Sequence, residues 1–313
     1  MNKFYNIPFV TSSNPIDLIV RFPDKINNFL EILFKGVNIN LLKLLDQVSK
    51  KWLLHNKTPY FEEIEMMANH VNCSGIYFLN TLHEWGCTTR VGPNKNGQPT
   101  MWRVLDWPLY GLGANALIIN RELFGAPCIN LGWPLYSGIV NLICPGRFCI
   151  AINQAPKFKK FLGGIELPEY ALSIYQKLLF LSKKDILPSH LVRIAGQVCN
   201  SFSEALDLLC KNKTCIPAIF IIVGTKSTEY AIVEHQNSCT TIFNGPMCVA
   251  NHWRFTPPIY EELSNSFARE NALKLASLNQ DFSWLIPPIL NRDSRLAMII
   301  TPVTGFVKGV SIE

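Results

Sequence analysis

The chain is defined first by what is missing from it. No run among its 313 residues is long and apolar enough to cross a bilayer. The longest, Ile216 to Val223, falls well short and carries Pro217 near its start. The N-terminus, Met1 to Phe9, has neither the apolar stretch nor the small-residue cleavage site of a secretory signal. The expectation is therefore a cytoplasmic protein, or one exported by a non-classical route. The ten cysteines show no paired CxxC spacing. Cys144 and Cys149, like Cys210 and Cys215, lack the His or further Cys of a zinc site. No metal and no cofactor is expected, and the thiols read first as buried and reduced, with disulfides second. Charge is scarce at 17%, and the net +6 is scattered in short clusters such as Lys157–Lys160. With no helix-turn-helix, zinc-finger or RNA-binding signature, nucleic acid is excluded as a partner. Weak peripheral contact with an anionic membrane stays open.

What is present is apolar. A hydrophobic content of 48% in a chain of this length fits one large layered domain with a generous core. Residues 1–86 read as helices. Apolar residues recur at helical spacing through Ile16–Phe34, Leu41–Leu53, Phe61–Val71 and Ile76–Leu82, with Asn72-Cys73-Ser74-Gly75 as a break. At Cys87 the period changes to short strands: Met101–Leu105, Ala116–Asn120, Ala126–Leu131, Gly138–Ile143 and Phe148–Asn153. Helices follow at Pro168–Leu181, Leu191–Val198 and Ser203–Cys210. Strands return from Ala218 to Ala250, a helix spans Tyr260–Leu278, and a strand at Leu296–Val303 closes the chain. This order predicts an α+β fold of two packed sheets between helical layers.

The chemistry gathers around Gly86-Cys87-Thr88-Thr89-Arg90. Arg103 and Asp106 follow Cys87 by sixteen and nineteen residues, across the turn-forming stretch Gly92–Pro99. A hairpin there brings a thiol, a guanidinium and a carboxylate into one pocket. A thiol at its ordinary pKa is mostly protonated at neutral pH, so a nucleophilic cysteine needs a positive field or a base. Arg103 supplies the field. A chain break between Gly86 and Cys87 would supply the base: an α-amine, titrating near about 8. Asp106 would hold that amine, and Gly86 offers little steric resistance to attack by Cys87 on its carbonyl.

The string resembles the cysteine branch of the N-terminal nucleophile hydrolases, specifically the acid ceramidase and N-acylethanolamine acid amidase family, related to the choloylglycine hydrolases. The likeness covers most of the chain. It rests on Cys87-Thr88-Thr89, Trp102-Arg103-Val104-Leu105-Asp106 at the family's offsets, Leu135-Tyr136-Ser137-Gly138, Pro145-Gly146-Arg147-Phe148, Ile152-Asn153-Gln154 and Ala250-Asn251-His252-Trp253. Upstream, Pro59-Tyr60-Phe61-Glu62-Glu63-Ile64 is similar to a stretch of the family's α-subunit. The resemblance implies a four-layer αββα sandwich, a helical α-subunit at 1–86 and a catalytic β-subunit at 87–313; the apolar faces of the first 86 residues imply that the two fragments stay associated after cleavage. It implies a self-cleaved amidase acting on the N-acyl bond of a lipid amide of ceramide or N-acylethanolamine type. Cys87 would be nucleophile and its amine the base, and Arg103 and Asp106 would position the pair. Asn251 would donate to the oxyanion, Asn153 would line the pocket, and Arg269 would match a basic residue on a helix. Gln154 stands where the family usually has Glu.

Plainer readings stand beside these. Cys87 could be a structural thiol, Arg103 and Asp106 a cross-strand ion pair, and Asn153 and Asn251 turn residues. Trp107, Trp133, Tyr136 and Trp253, with Gln154 and His252, would line an acyl channel or simply fill core. His252 beside Asn251 also leaves open a conventional Cys-His-Asn hydrolase or acyltransferase without self-cleavage. A non-catalytic lipid-binding relative is the third alternative.

Overall fold

A computed structural model describes residues 3–83, 85–123, 126–156, 161–162, 165–166, 185–236, 239–254 and 265–313. The expected helix Pro168–Leu181, the Lys157–Lys160 cluster and the first turn of the expected helix Tyr260–Leu278 lie outside these residues.

Two sheets form the centre. The smaller runs in the order β1 (Phe4–Asn6), β16 (Phe306–Ile312), β15 (Ser294–Thr301), β4 (Pro99–Asp106), β3 (Gly86–Pro93) and β14 (Met247–Val249). The larger runs β13 (Cys239–Asn244), β12 (Tyr230–Gln236), β11 (Ala218–Val223), β8 (Phe148–Gln154), β7 (Asn141–Cys144), β6 (Ala126–Gly132), β5 (Leu117–Leu123) and β2 (Phe9–Thr11), while β9 (Phe161–Leu162) and β10 (Ile165–Glu166) pair with each other alone. The inner faces share one core, which includes Cys87, Leu105, Cys149 and Ile221. Helices Pro188–Val198 and Phe202–Lys211 back the larger sheet, and helix Ser266–Leu275 backs the smaller one. A second core, with Trp102, Val104, Leu273 and Trp284, fills that outer side. This is the four-layer α+β sandwich expected.

The hairpin β3–β4 forms as its turn chemistry dictates. Asn94 Oδ1 accepts the N–H groups of Asn96 and Gln98 at 2.9 and 3.0 Å, and Gly97 takes φ +75°. Pairing then runs in register from Gly86 opposite Asp106 to Pro93 opposite Pro99.

The N-terminal segment is not purely helical. Helices Pro15–Arg21, Pro23–Phe34, Ile39–His55, Phe61–Val71 and Ile76–Leu79 pack on the inter-sheet core, with Phe29 stacked on Trp133. Ahead of them, β1 and β2 extend one edge of each sheet. Their side chains are mostly exposed, so burial leaves no alternation to read. The chain also ends on an additional strand, β16, whose Lys308-Gly309 interrupts the apolar pattern. A Cβ at Gly309 would sit 2.8 Å from Leu131 Cδ1, so glycine is what lets this strand approach the larger sheet.

Candidate active site

Successive side chains on a strand point to opposite faces, and directly opposed residues share a face. Cys87, Thr89, Arg103 and Leu105 therefore point between the sheets, whereas Thr88, Val104 and Asp106 face helix Ser266–Leu275. One expectation is corrected by this alternation. Asp106 stands three residues after Arg103, an odd step, so thiol, guanidinium and carboxylate do not share a pocket. They form two clusters on either side of the Gly86–Cys87 peptide.

On the inner face the fully buried Arg103 grips Cys87. One Nη donates to Cys87 Sγ at 2.9 Å and to the Ile152 carbonyl at 2.5 Å. The other donates to Thr89 Oγ1 at 2.9 Å and to Asn153 Oδ1. Asn153 reaches across from β8, and its Nδ2 donates to the carbonyls of Val249 and Ala250 at 3.3 and 2.9 Å. One amide thus fixes the guanidinium and the segment leading to Asn251. A planar fork with this many aligned acceptors has one orientation open to it.

On the outer face Arg269 Nη1 lies 3.1 Å from Asp106 Oδ2 and donates to Thr88 Oγ1. Its Nη2 donates to Asn251 Oδ1 at 2.9 Å. Ser294 Oγ donates to Asp106 Oδ1 at 2.7 Å. Asn251 Oδ1 also accepts the backbone N–H of Cys87 at 2.7 Å, and its Nδ2 donates to the Gln154 carbonyl at 2.9 Å. The nitrogen that would become the free amine is therefore already held by a side-chain acceptor. A Cβ on Gly86 would lie 3.4 Å from Asp106 Cβ, an ordinary contact, so glycine is not sterically demanded there.

Burial pushes the Cys87 thiol up to about 11, against the pull of Arg103; Asp106 raises it further and Arg269 lowers it. In the unbroken chain this sulfur is a neutral thiol at pH 7.

The remaining residues divide. His252 turns to the outer helix: Nδ1 is 2.7 Å from Ser266 Oγ, Nε2 is 3.1 Å from Glu270, and the ring stacks on Phe267. Neither ring nitrogen is bonded to Cys87. Ser266 Oγ accepts the Asn251 N–H at 2.7 Å, so His252 and Glu270 brace the backbone at Asn251. Trp253 is buried in the inter-sheet core. Trp107, Trp133 and Tyr136 form one aromatic wall. Trp107 lies 5.1 Å from Trp133, centroid to centroid, and Trp85 packs edge-on against Trp107 and Tyr136 at 5.7 and 6.0 Å. The residue two before Cys87 thus fills the place expected to take an acyl chain. Leu135, beside this wall, has φ +69° and is braced by Asn80, which donates to its carbonyl and accepts from Ser137 N. Among the described residues no group of three His, Cys, Asp or Glu side chains could hold a metal ion.

Thr88 and Thr89 belong to the motif read around Cys87, whereas Ser266, Glu270 and Ser294 carry no signal in the sequence. Thr89 was legible, being two residues from Cys87 on one strand face. Ser266, Glu270 and Ser294 reach the site only through tertiary packing.

No protein-family profile matches the chain. It is similar to acid ceramidase from Heterocephalus glaber, 24% identical over 217 residues, which cover 63% of this chain and 52% of that protein. Acid ceramidase from Balaenoptera acutorostrata scammoni is 24% identical over 220 residues, with the same coverage. The match thus spans about half the length of these relatives. Among solved structures, the N-acylethanolamine-hydrolyzing acid amidase ortholog of Caenorhabditis elegans superimposes with TM-score 0.52 at 16% identity, covering 69% of this chain and 93% of that one. This last likeness is one of fold.

Proposed function

We propose that the chain is a cysteine N-terminal nucleophile hydrolase akin to acid ceramidase, a self-cleaved amidase acting on the N-acyl bond of a lipid amide. One observation carries the reading: a permanent cation sits 2.9 Å from Cys87 Sγ while Asn251 Oδ1 sits 2.7 Å from Cys87 N, at the first residues of a strand.

Maturation starts with Cys87 Sγ attacking the Gly86 carbonyl carbon. The tetrahedral adduct collapses by breaking the bond to Cys87 N, which takes up the proton. Water then hydrolyses the Gly86 thioester, leaving a carboxylate at Gly86 and a free thiol and amine on Cys87. Asn251 Oδ1, which accepts the amide N–H before the break, accepts from the amine after it. In turnover the amine takes the thiol proton as Sγ attacks the substrate carbonyl, and returns it to the leaving amine. Arg103 offsets part of the cost that burial sets on the thiolate. The second N–H of Asn251 Nδ2 is the oxyanion donor, a contribution of about 3 kcal/mol by the measure of other such donors. Water releases the fatty acid from the Cys87 thioester. Trp107, Trp133 and Tyr136 give the acyl chain an apolar wall once Trp85, on the new C-terminal end, moves out.

Fluorogenic N-acyl amides of graded chain length test this reading. Wild type should hydrolyse the long-chain members, and acid quenching should leave an acyl mass on the peptide that begins at Cys87. Cys87→Ala should do neither. Hydrolysis by Cys87→Ala at the wild-type rate sinks the proposal.

A further inference from the structure

A second reactive sulfur site lies on the far face of the larger sheet. Cys128 on β6 and Cys144 on β7 are both buried, with their Sγ atoms 3.5 Å apart. The ladder pairs Ile129 with Ile143, so the next step sets Cys128 opposite Cys144. Directly opposed residues of an antiparallel pair have Cα atoms about 4.5–5.5 Å apart. That falls inside the window of about 4.4–6.8 Å that a disulfide spans. Cys128 Sγ also lies 3.2 Å from the Gly196 carbonyl of helix Pro188–Val198, which places the pair on the helix side, away from the inter-sheet face that carries Cys87.

A guanidinium serves this pair as Arg103 serves Cys87. Arg147 Nη2 donates to Cys128 Sγ and to the Pro127 carbonyl, each at 3.3 Å; its Nη1 donates to the carbonyls of Cys199 and Gly196 at 2.7 and 3.3 Å. The carbonyls fix the fork, so its charge stays beside one sulfur. The hydrogen bond from Cys144, with Arg147 added, draws the Cys128 thiol down to about 7 against burial, while burial holds Cys144 well above its ordinary value. Cys149, the other thiol near Cys144, is buried and neutral. One member of the pair is thus the nucleophile and the other the resolving thiol. Both Arg147, half-buried, and the exposed Pro127, whose carbonyl shares the Arg147 guanidinium, lie beside Cys128.

We propose that Cys128 and Cys144 are a peroxide-oxidised dithiol, closing to a cross-strand disulfide with Arg147 as the activating cation. Cys128 thiolate attacks one oxygen of hydrogen peroxide, breaking the O–O bond; Cys128 becomes a sulfenic acid and hydroxide leaves. Cys144 then attacks the Cys128 sulfur, giving up its proton, and the sulfenic oxygen departs as water. Two thiols lose two electrons in all, and one peroxide becomes two waters.

Trypsin leaves both sulfurs in one peptide, Glu122–Arg147, which makes the test direct. Folded full-length chain is treated with hydrogen peroxide at neutral pH, unfolded, alkylated and digested. That peptide should lose two hydrogens and take up no alkylating group, while the peptides carrying Cys149 and Cys215 alkylate fully. Cys144→Ser should instead stop at a sulfenic acid on Cys128, trapped by dimedone. Arg147→Met should slow cross-linking about tenfold at neutral pH. The proposal is overturned if both thiols of the wild-type peptide alkylate, if Cys128 pairs with Cys199, or if Cys144→Ser yields no dimedone adduct.

Discussion

Glu63 and Arg193 meet in a two-point ion pair of 2.8 and 2.6 Å, joining the N-terminal helix Phe61–Val71 to the helix that backs the larger sheet. Arg121 stands 3.7 Å from the same carboxylate, and Tyr60 lies under the Arg193 guanidinium at 3.9 Å. Burial alone would raise the Glu63 carboxyl, but the Arg193 hydrogen bond and charge, with Arg121 behind, outweigh it and hold the carboxyl below its ordinary range. The pair crosses the proposed break, since Glu63 precedes Cys87 and Arg193 follows it.

A pH dependence follows from that depression. A carboxyl whose folded pKa lies below its unfolded value stabilises the fold above the unfolded pKa, about 4.3. That stability disappears as pH falls through the folded pKa. Glu63→Gln should cost about 3–5 kcal/mol at pH 7, because it strands a buried guanidinium. It should also flatten the acid limb of a urea-midpoint profile. In cleaved protein the same substitution should loosen the two fragments on size exclusion.

His252 and Asn251 separate two mechanisms. The ring of His252 is committed to Ser266 and Glu270, and Asn251 to Cys87 and Arg269. His252→Ala should reduce kcat no more than about tenfold, by loosening Asn251. Asn251→Ala should lower it about a hundredfold or more, on the scale of a lost oxyanion donor. The reverse ranking would favour a Cys-His-Asn mechanism.

Asn80 braces the segment that carries the aromatic wall. Its amide bonds the Ile76 and Leu135 carbonyls, each at 2.9 Å, and accepts from Ser137 N at 2.7 Å. Asn80→Ala leaves buried backbone groups without partners and should cost about 2–4 kcal/mol in a denaturation curve. KM for long-chain amides should rise more than kcat falls, because Leu135 and Tyr136 lose their support.

The hairpin, the nucleophile and its guanidinium were legible because they depend on local turn chemistry and on one register. Asp106 faces away from the thiol, as its odd spacing from Arg103 on the strand requires. Arg269 had only its place on an expected helix to mark it in the sequence. Helix Ser266–Leu275 delivers it to Asp106 and Asn251 all the same. The edge strands β1 and β2 were hidden for another reason: backbone pairing, not side-chain burial, makes them strands.

The central claim is that Cys87 becomes a chain terminus and attacks from there. Intact-mass measurement of purified wild type and Cys87→Ala, paired with amidase assays on the same samples, tests it most directly. The account predicts a wild-type fragment whose first residue is Cys87, activity that appears in step with that fragment, and a variant that stays whole and inactive. A wild-type chain that hydrolyses amides while the Gly86–Cys87 bond remains intact would contradict it.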